Sequence, residues 1–213
     1  MTASAHPLEA SRPDARPSRA EAEAAVRVLI RWAGDDPARP GLLDTPDRVL
    51  RSYDEAYAGY GRDPAQILEA ACTGALDQDM IVVRGIRFAS RSDQDMAPLV
   101  GDAMVAYIPG RRVVDADALG LAVDALSRRL QSPATMASLL ASALDRSVRP
   151  VGAAVLLRTV RVAALMSRRS TEDAATLDAA YTGTLSTASP WHGRLASLIM
   201  KERPIRVGPS REP

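Results

Sequence analysis

The chain has a single cysteine, Cys72, and two histidines, His6 and His192, in 213 residues. One cysteine cannot close an internal disulfide, which fits a reducing compartment. Three scattered soft ligands do not assemble a zinc site of the usual Cys/His type. Charge of one sign is also missing: 27 basic residues face 26 acidic ones, for a formal net charge of +1. Without a basic excess there is no field to gather nucleic acid or an anionic membrane surface. No apolar run reaches the roughly 18 residues of a membrane span, and the N-terminus lacks the apolar stretch of a signal peptide. The expectation is a cytoplasmic protein that binds neither nucleic acid nor membrane. Hydrophobic residues make up 46% of the chain, enough for one sizeable core.

Residues 1–17 hold Pro7, Pro13 and Pro17 without periodicity and read as a disordered arm. Residues 18–78 read as a helical region. Ser18 and Glu21 form a capping box, with Ala22, Ala25, Val26, Leu29, Trp32 and Ala33 on one helical face. Thr45-Pro46 and Asp63-Pro64 open two further helices. Residues 79–203 form the main domain, and 204–213 a tail. MIVVRGIRF from Met80 is strand-like; GDAMVAYIPGRRVV from Gly101 reads as a strand, a Pro-Gly turn and a return strand. Leu119, Ala122, Val123, Leu126 and Leu130 mark one amphipathic helix, and Met136 to Val148 another behind Ser132-Pro133. Residues 151–166 are β-branched and apolar, with a bend expected near Arg161, and a strand at 176–183 precedes a helix opened by Ser189-Pro190. Trp32, Tyr107 and Trp191 are expected to anchor a core or an interface.

The element order and the stretches GLLDTPDRV (41–49), AYIPGRRVV (106–114), SRRLQ (127–131) and RPVGAAVLL (149–157) resemble GTP cyclohydrolase I, the enzyme that opens the guanine ring of GTP. The resemblance implies an α+β tunnelling fold, an antiparallel sheet backed by helices, and a ring-shaped homo-oligomer with pockets between neighbours. It also sets the family's working residues against this chain, and here they differ. The zinc ligands fall on Ser92, Asp95 and Ala163, the first histidine of the Cys-Glu-His-His motif on Gln94, and the proton-transferring histidine on Arg161. An alanine cannot ligate a metal, and a guanidinium that stays protonated cannot act as a base. The triphosphate-holding positions fall on Asp117, Ala118, Leu121 and Ser167, and the guanine-reading Gln-Glu pair on Pro133 and Ala134. A triphosphate would meet Asp115 and Asp117, which repel it.

The resemblance thus implies a family scaffold with no zinc and no GTP chemistry, kept as a structural or regulatory subunit, alone or in a mixed oligomer with a catalytically complete relative. The alternative is an enzyme or binding protein whose pocket is rebuilt for another purine-like, pterin-like or anionic small molecule. Asp93 and Asp95 suit either a hard divalent cation or a solvated loop. Arg158, Arg161, Arg168 and Arg169 suit either an anion pocket or a salt-bridged edge. Met96, Leu99 and Val100 are expected to turn inward and hold the strand that follows.

Overall fold

The computed structural model describes residues 16–74, 79–162, 175–186 and 190–200. It divides into two compact units, with the boundary between Glu55 and Ala56.

The first unit holds α1 (Arg19–Trp32), a short 3-10 turn at Pro40–Leu42, and most of α2 (Thr45–Ala56). The capping box forms as the sequence implies: the Glu21 amide donates to Ser18 Oγ at 3.3 Å and the Ser18 amide to the Glu21 carboxylate at 2.8 Å. Ion pairs from Arg19 to Asp47 and Asp54 tie the two helices together, and Arg16, ahead of α1, also pairs with Asp54. The apolar face of α1 departs from expectation. Only Val26 is buried, while Leu29 is 63% and Trp32 88% exposed. Periodicity fixes which residues share a face, but burial needs a partner surface, and this unit supplies one only at Val26.

The second unit begins with a 3-10 turn (Ala58–Gly61) and α3 (Pro64–Ala70), capped by Asp63. Then come β1 (Thr73–Gly74), β2 (Ile81–Arg91), β3 (Pro98–Ile108), β4 (Arg112–Val113), α4 (Ala116–Ser127), α5 (Pro133–Ser147), β5 (Gly152–Arg161), β6 (Ala175–Gly183) and α6 (Pro190–Met200). Strands β2-β3-β5-β6 form one antiparallel sheet in that order. The return strand expected after the Pro-Gly turn does not fold back on β3. Instead β4 pairs with β1, Thr73 opposite Val113. The sheet order accounts for the departure: both edges of β3 are already taken, by β2 and by β5, so no edge is left for a return strand. Just past β4 the buried Tyr107 hydroxyl accepts from the Val114 amide and donates to the Val114 carbonyl, each at 3.0 Å, and so satisfies backbone groups there.

Alternation along the strands gives the sheet two apolar faces. Ala103, Val105 and Tyr107 of β3 and Ala153, Val155 and Leu157 of β5 meet α4, α5 and α3 through Leu119, Leu126, Leu140, Leu144 and Leu68. Met104, Ala106, Ile108, Ala154 and Leu156 point the other way and pack with Leu185 and with Leu195 of α6. Trp191 joins this second cluster, and the Arg194 guanidinium lies 5.7 Å from its ring while pairing with Asp79 at 2.7 Å. Cys72 is half-buried against the main core. β5 ends at Arg161, where the bend was expected.

Candidate functional site

Between β2 and β3 the chain must reverse in six residues, Ser92–Ala97, and the polar run there serves the reversal. The Ser92 amide donates to the Ala97 carbonyl at 3.0 Å and the Met96 amide to the Ser92 carbonyl at 2.9 Å. Side chains complete the turn: Ser92 Oγ accepts from the Gln94 amide and Asp95 Oδ1 from the Ala97 amide, both at 3.1 Å. Met96 sits at φ 56°, a left-handed conformation uncommon for a side chain of its size. It is 41% exposed, and Val100 38%, while Leu99 is 4% exposed. The expectation that all three turn inward therefore holds only for Leu99, because Val100 faces the opposite side of the sheet and Met96 is still in the turn.

Asp95 Oδ2 accepts a hydrogen bond from Arg161 Nη2 at the end of β5, 66 residues away in sequence. The Ala97 amide holds the Asp95 carboxyl below its usual range, with the Ser92 hydroxyl and Arg161 adding to the effect against desolvation.

This loop forms one wall of a pocket of about 220 Å3. Ser92, Asp93 and Gln94 line it on the loop side, Leu99 and Arg161 on the sheet, and Ser132 and Pro133 at the start of α5. Thr159, Thr176 and Asp178 complete the lining from β5 and β6, with the two threonine hydroxyls hydrogen-bonded to each other at 2.8 Å.

Five of the residues singled out from the sequence thus converge: Ser92, Asp93, Gln94, Pro133 and Arg161, with Asp95 attached through Arg161. Two do not line the pocket. Asp117 is exposed in the first turn of α4, behind the N-cap Asp115, whose Oδ1 accepts from the Ala118 amide at 2.7 Å. Ala134 is exposed on α5. Ala163, Ser167, Arg168 and Arg169 lie outside the described residues. Arg158 and Arg161 do not form one anion pocket, since residues three apart on a strand project to opposite faces. Leu99, Ser132, Thr159, Thr176 and Asp178 were missed. Counting by twos back from Arg161 would have found Thr159; Thr176 and Asp178 reach the site only through the β5–β6 register.

At the three positions where the resemblance places the family's zinc ligands, the residues present do not fit that metal. Ser92 Oγ is engaged in the turn, Asp95 is engaged by a permanent cation that would repel a metal ion, and Ala163 has no donor atom. Among the described residues no group of three or more His, Cys, Asp or Glu side chains is placed to hold a metal. Likewise no described helix is long and apolar enough to cross a membrane.

A four-stranded antiparallel sheet with two long helices on one face, and a pocket where the sheet meets a helix start, defines an α+β protein of the tunnelling-fold class. Residues 22–200 match the family model for GTP cyclohydrolase I. The chain is 38% identical to GTP cyclohydrolase 1 of Allorhizobium ampelinum over 186 residues, covering 86% of this chain and 92% of that protein. It is 35% identical to the enzyme of the same name from Brucella canis, covering 86% and 87%. The chain belongs to the GTP cyclohydrolase I family. Among solved structures it is similar to an archaeosine synthase QueF-like protein in the apo form (TM-score 0.43, 16% identity, 51% of this chain and 97% of that one). It is also similar to a dihydroneopterin aldolase from Burkholderia bound to guanine (TM-score 0.37, 12% identity, 55% and 94%).

Proposed function

We propose that this chain is a non-catalytic member of the family: it keeps the scaffold and its assembly, lacks GTP ring opening, and acts as a structural or regulatory subunit. The observation that carries the reading is the Asp95–Arg161 ion pair. By the resemblance these two positions belong to a metal-binding and a proton-transferring histidine, and here a carboxylate and a guanidinium neutralise one another. Hydrolysis at a purine carbon needs an activated water, and without zinc nothing in the loop lowers the pKa of one. The relatives bear the name of an active enzyme, so the reading rests on how this chain departs from the family motif at Ser92, Gln94, Asp95 and Ala163.

Assembly goes with the same reading. Among the described residues β2 and β6 are the outer strands of the sheet, and edges of eleven and nine residues call for pairing, which a ring of identical chains or a mixed ring with a complete relative supplies. A cytoplasmic location suits the lone Cys72.

The test is direct. Purified protein is expected to hold no stoichiometric zinc and to yield no ring-opened product from GTP, while native mass spectrometry shows a closed oligomer. About one zinc per chain that resists EDTA, or turnover of GTP, would refute the non-catalytic reading. A monomer mass throughout the micromolar range would refute the assembly.

A second reading, a binding protein with a rebuilt pocket, is favoured by one observation: Asp93 and Asp178 line the pocket and neither side chain has a hydrogen bond or ion pair among the described residues.

A further inference from the structure

The first unit carries an apolar stripe that its own packing does not use. At helical spacing along α1, Ala25, Val28, Leu29 and Trp32 fall on one side. All four are exposed, Val28 at 53%, Leu29 at 63% and Trp32 at 88%. Helix α2 does not cover them, because α1 is tied to α2 through a different side, where Arg19 pairs with Asp47 and Asp54 and Val26 is the buried residue. Trp32 alone leaves on the order of 200 Å2 of side chain in water, and Leu29 and Val28 extend the patch to the size that marks an interaction surface.

The stripe is graded along the helix in size and in charge. Its N-terminal half is small, with Ala22, Ala24 and Ala25, and its C-terminal half is large, with Val28, Leu29 and Trp32. Glu21 is the acid of the first turn and Arg31 the base of the last. Hydrogen bonds from Ser18 keep the Glu21 carboxyl ionised below its usual range, and Arg31 has no hydrogen bond or ion pair among the described residues. Such a gradient complements itself in one orientation only. Two parallel copies would set Trp32 against Trp32, Glu21 against Glu21 and Arg31 against Arg31. In an antiparallel pair with Ala25 opposite the partner's Val28, Leu29 meets the partner's Ala22 and Ala25, and Trp32 and Arg31 reach the partner's Glu21. Large then meets small and base meets acid, and the opposed helix dipoles add to the attraction.

We propose that the exposed face of α1 docks a second copy of this chain, the two α1 helices packing antiparallel across a twofold axis. The contact is isologous and uses neither edge of the sheet, so it adds a pairing to whatever the strand edges build. It holds whether or not the pocket has lost its chemistry.

The full chain is followed by native mass spectrometry and by sedimentation over a dilution series. The parent is expected to hold an even number of chains. Leu29→Glu with Trp32→Glu is expected to halve the mass of the assembly, with helix content by circular dichroism unchanged because both side chains are exposed. Leu29→Ala is expected to raise the dissociation constant of the same step by about tenfold or more, each change counting twice across a twofold axis. Ala25→Leu added to Leu29→Ala is expected to restore pairing, since large and small are merely exchanged between the copies. Arg31→Glu is expected to weaken pairing, most strongly at low salt. Equal masses for the parent and the double Glu variant would overturn the proposal, whether the stripe is then covered by another protein or by another part of the same chain. An odd number of chains in the parent, or no recovery with Ala25→Leu, would overturn it as well. None of these outcomes depends on GTP turnover, so failure here would leave the non-catalytic reading standing.

Discussion

Leu99 and Val100 are adjacent apolar residues of β3, and the fold assigns them opposite environments, so truncating each to alanine measures the placement of the sheet relative to the pocket. Leu99 is 4% exposed and Val100 38%. Leu99→Ala removes three carbons, a transfer loss of roughly 2.4 kcal/mol at about 0.8 kcal/mol per buried carbon. A cavity contribution ordinarily carries such changes through a range of about 2–5 kcal/mol. Because Leu99 already borders an open pocket, water can enter the space it leaves, and the expected loss is at the lower end, about 2–3 kcal/mol. Val100→Ala removes two carbons from a partly exposed face and is expected to cost about 1 kcal/mol or less. Urea unfolding at matched protein concentration reads both, since any assembly couples stability to concentration. An equal loss at the two positions, or a larger one at Val100, would mean that β3 presents the other face to the helices, and the pocket as described could not exist.

Two further outcomes follow from buried polar groups. Tyr107→Phe leaves the Val114 amide and carbonyl without their shared partner in the core, and a loss of about 2–4 kcal/mol in unfolding free energy is expected; a loss under about 0.5 kcal/mol would show that the tyrosine does not hold the chain after β3. Burial pushes the Asp124 carboxyl up, but Arg128 and Arg62 outweigh it and hold its pKa below the ordinary 3.8. A folded pKa below the unfolded one means that the contribution is complete above about pH 4 and is lost as pH falls through the folded value. Asp124→Asn is therefore expected to flatten the acid limb of stability against pH, measured by urea midpoints from neutral pH downward, and an unchanged limb would contradict the pairing.

How much was legible in the sequence depended on how far apart the cooperating residues lie. Ser18 with Glu21, Asp63 with Pro64 and Ser132 with Pro133 mark helix starts because a cap is made within three residues, so local order alone carries the information. Strand faces were misread at Leu99 and Val100, both expected inward, although alternation along one strand sets adjacent residues on opposite faces. The poverty in cysteine and histidine bounded the chemistry before any coordinate, because composition needs no geometry. The exposed face of α1 was not readable: amphipathicity states what a helix offers, and the unit around it decides what is accepted. Nor was the pairing of β4 with β1 in place of β3, which follows from β2 and β5 occupying both edges of β3. The candidate site divides in the same way. Ser92, Gln94 and Asp95 could be singled out within one short loop, but the Arg161 guanidinium that engages Asp95 stands 66 residues away, and Asp178 reaches the pocket only through the β5–β6 register. Contacts at that separation are set by which strands lie side by side, a choice made by burial over the whole sheet, and only the tertiary structure records it.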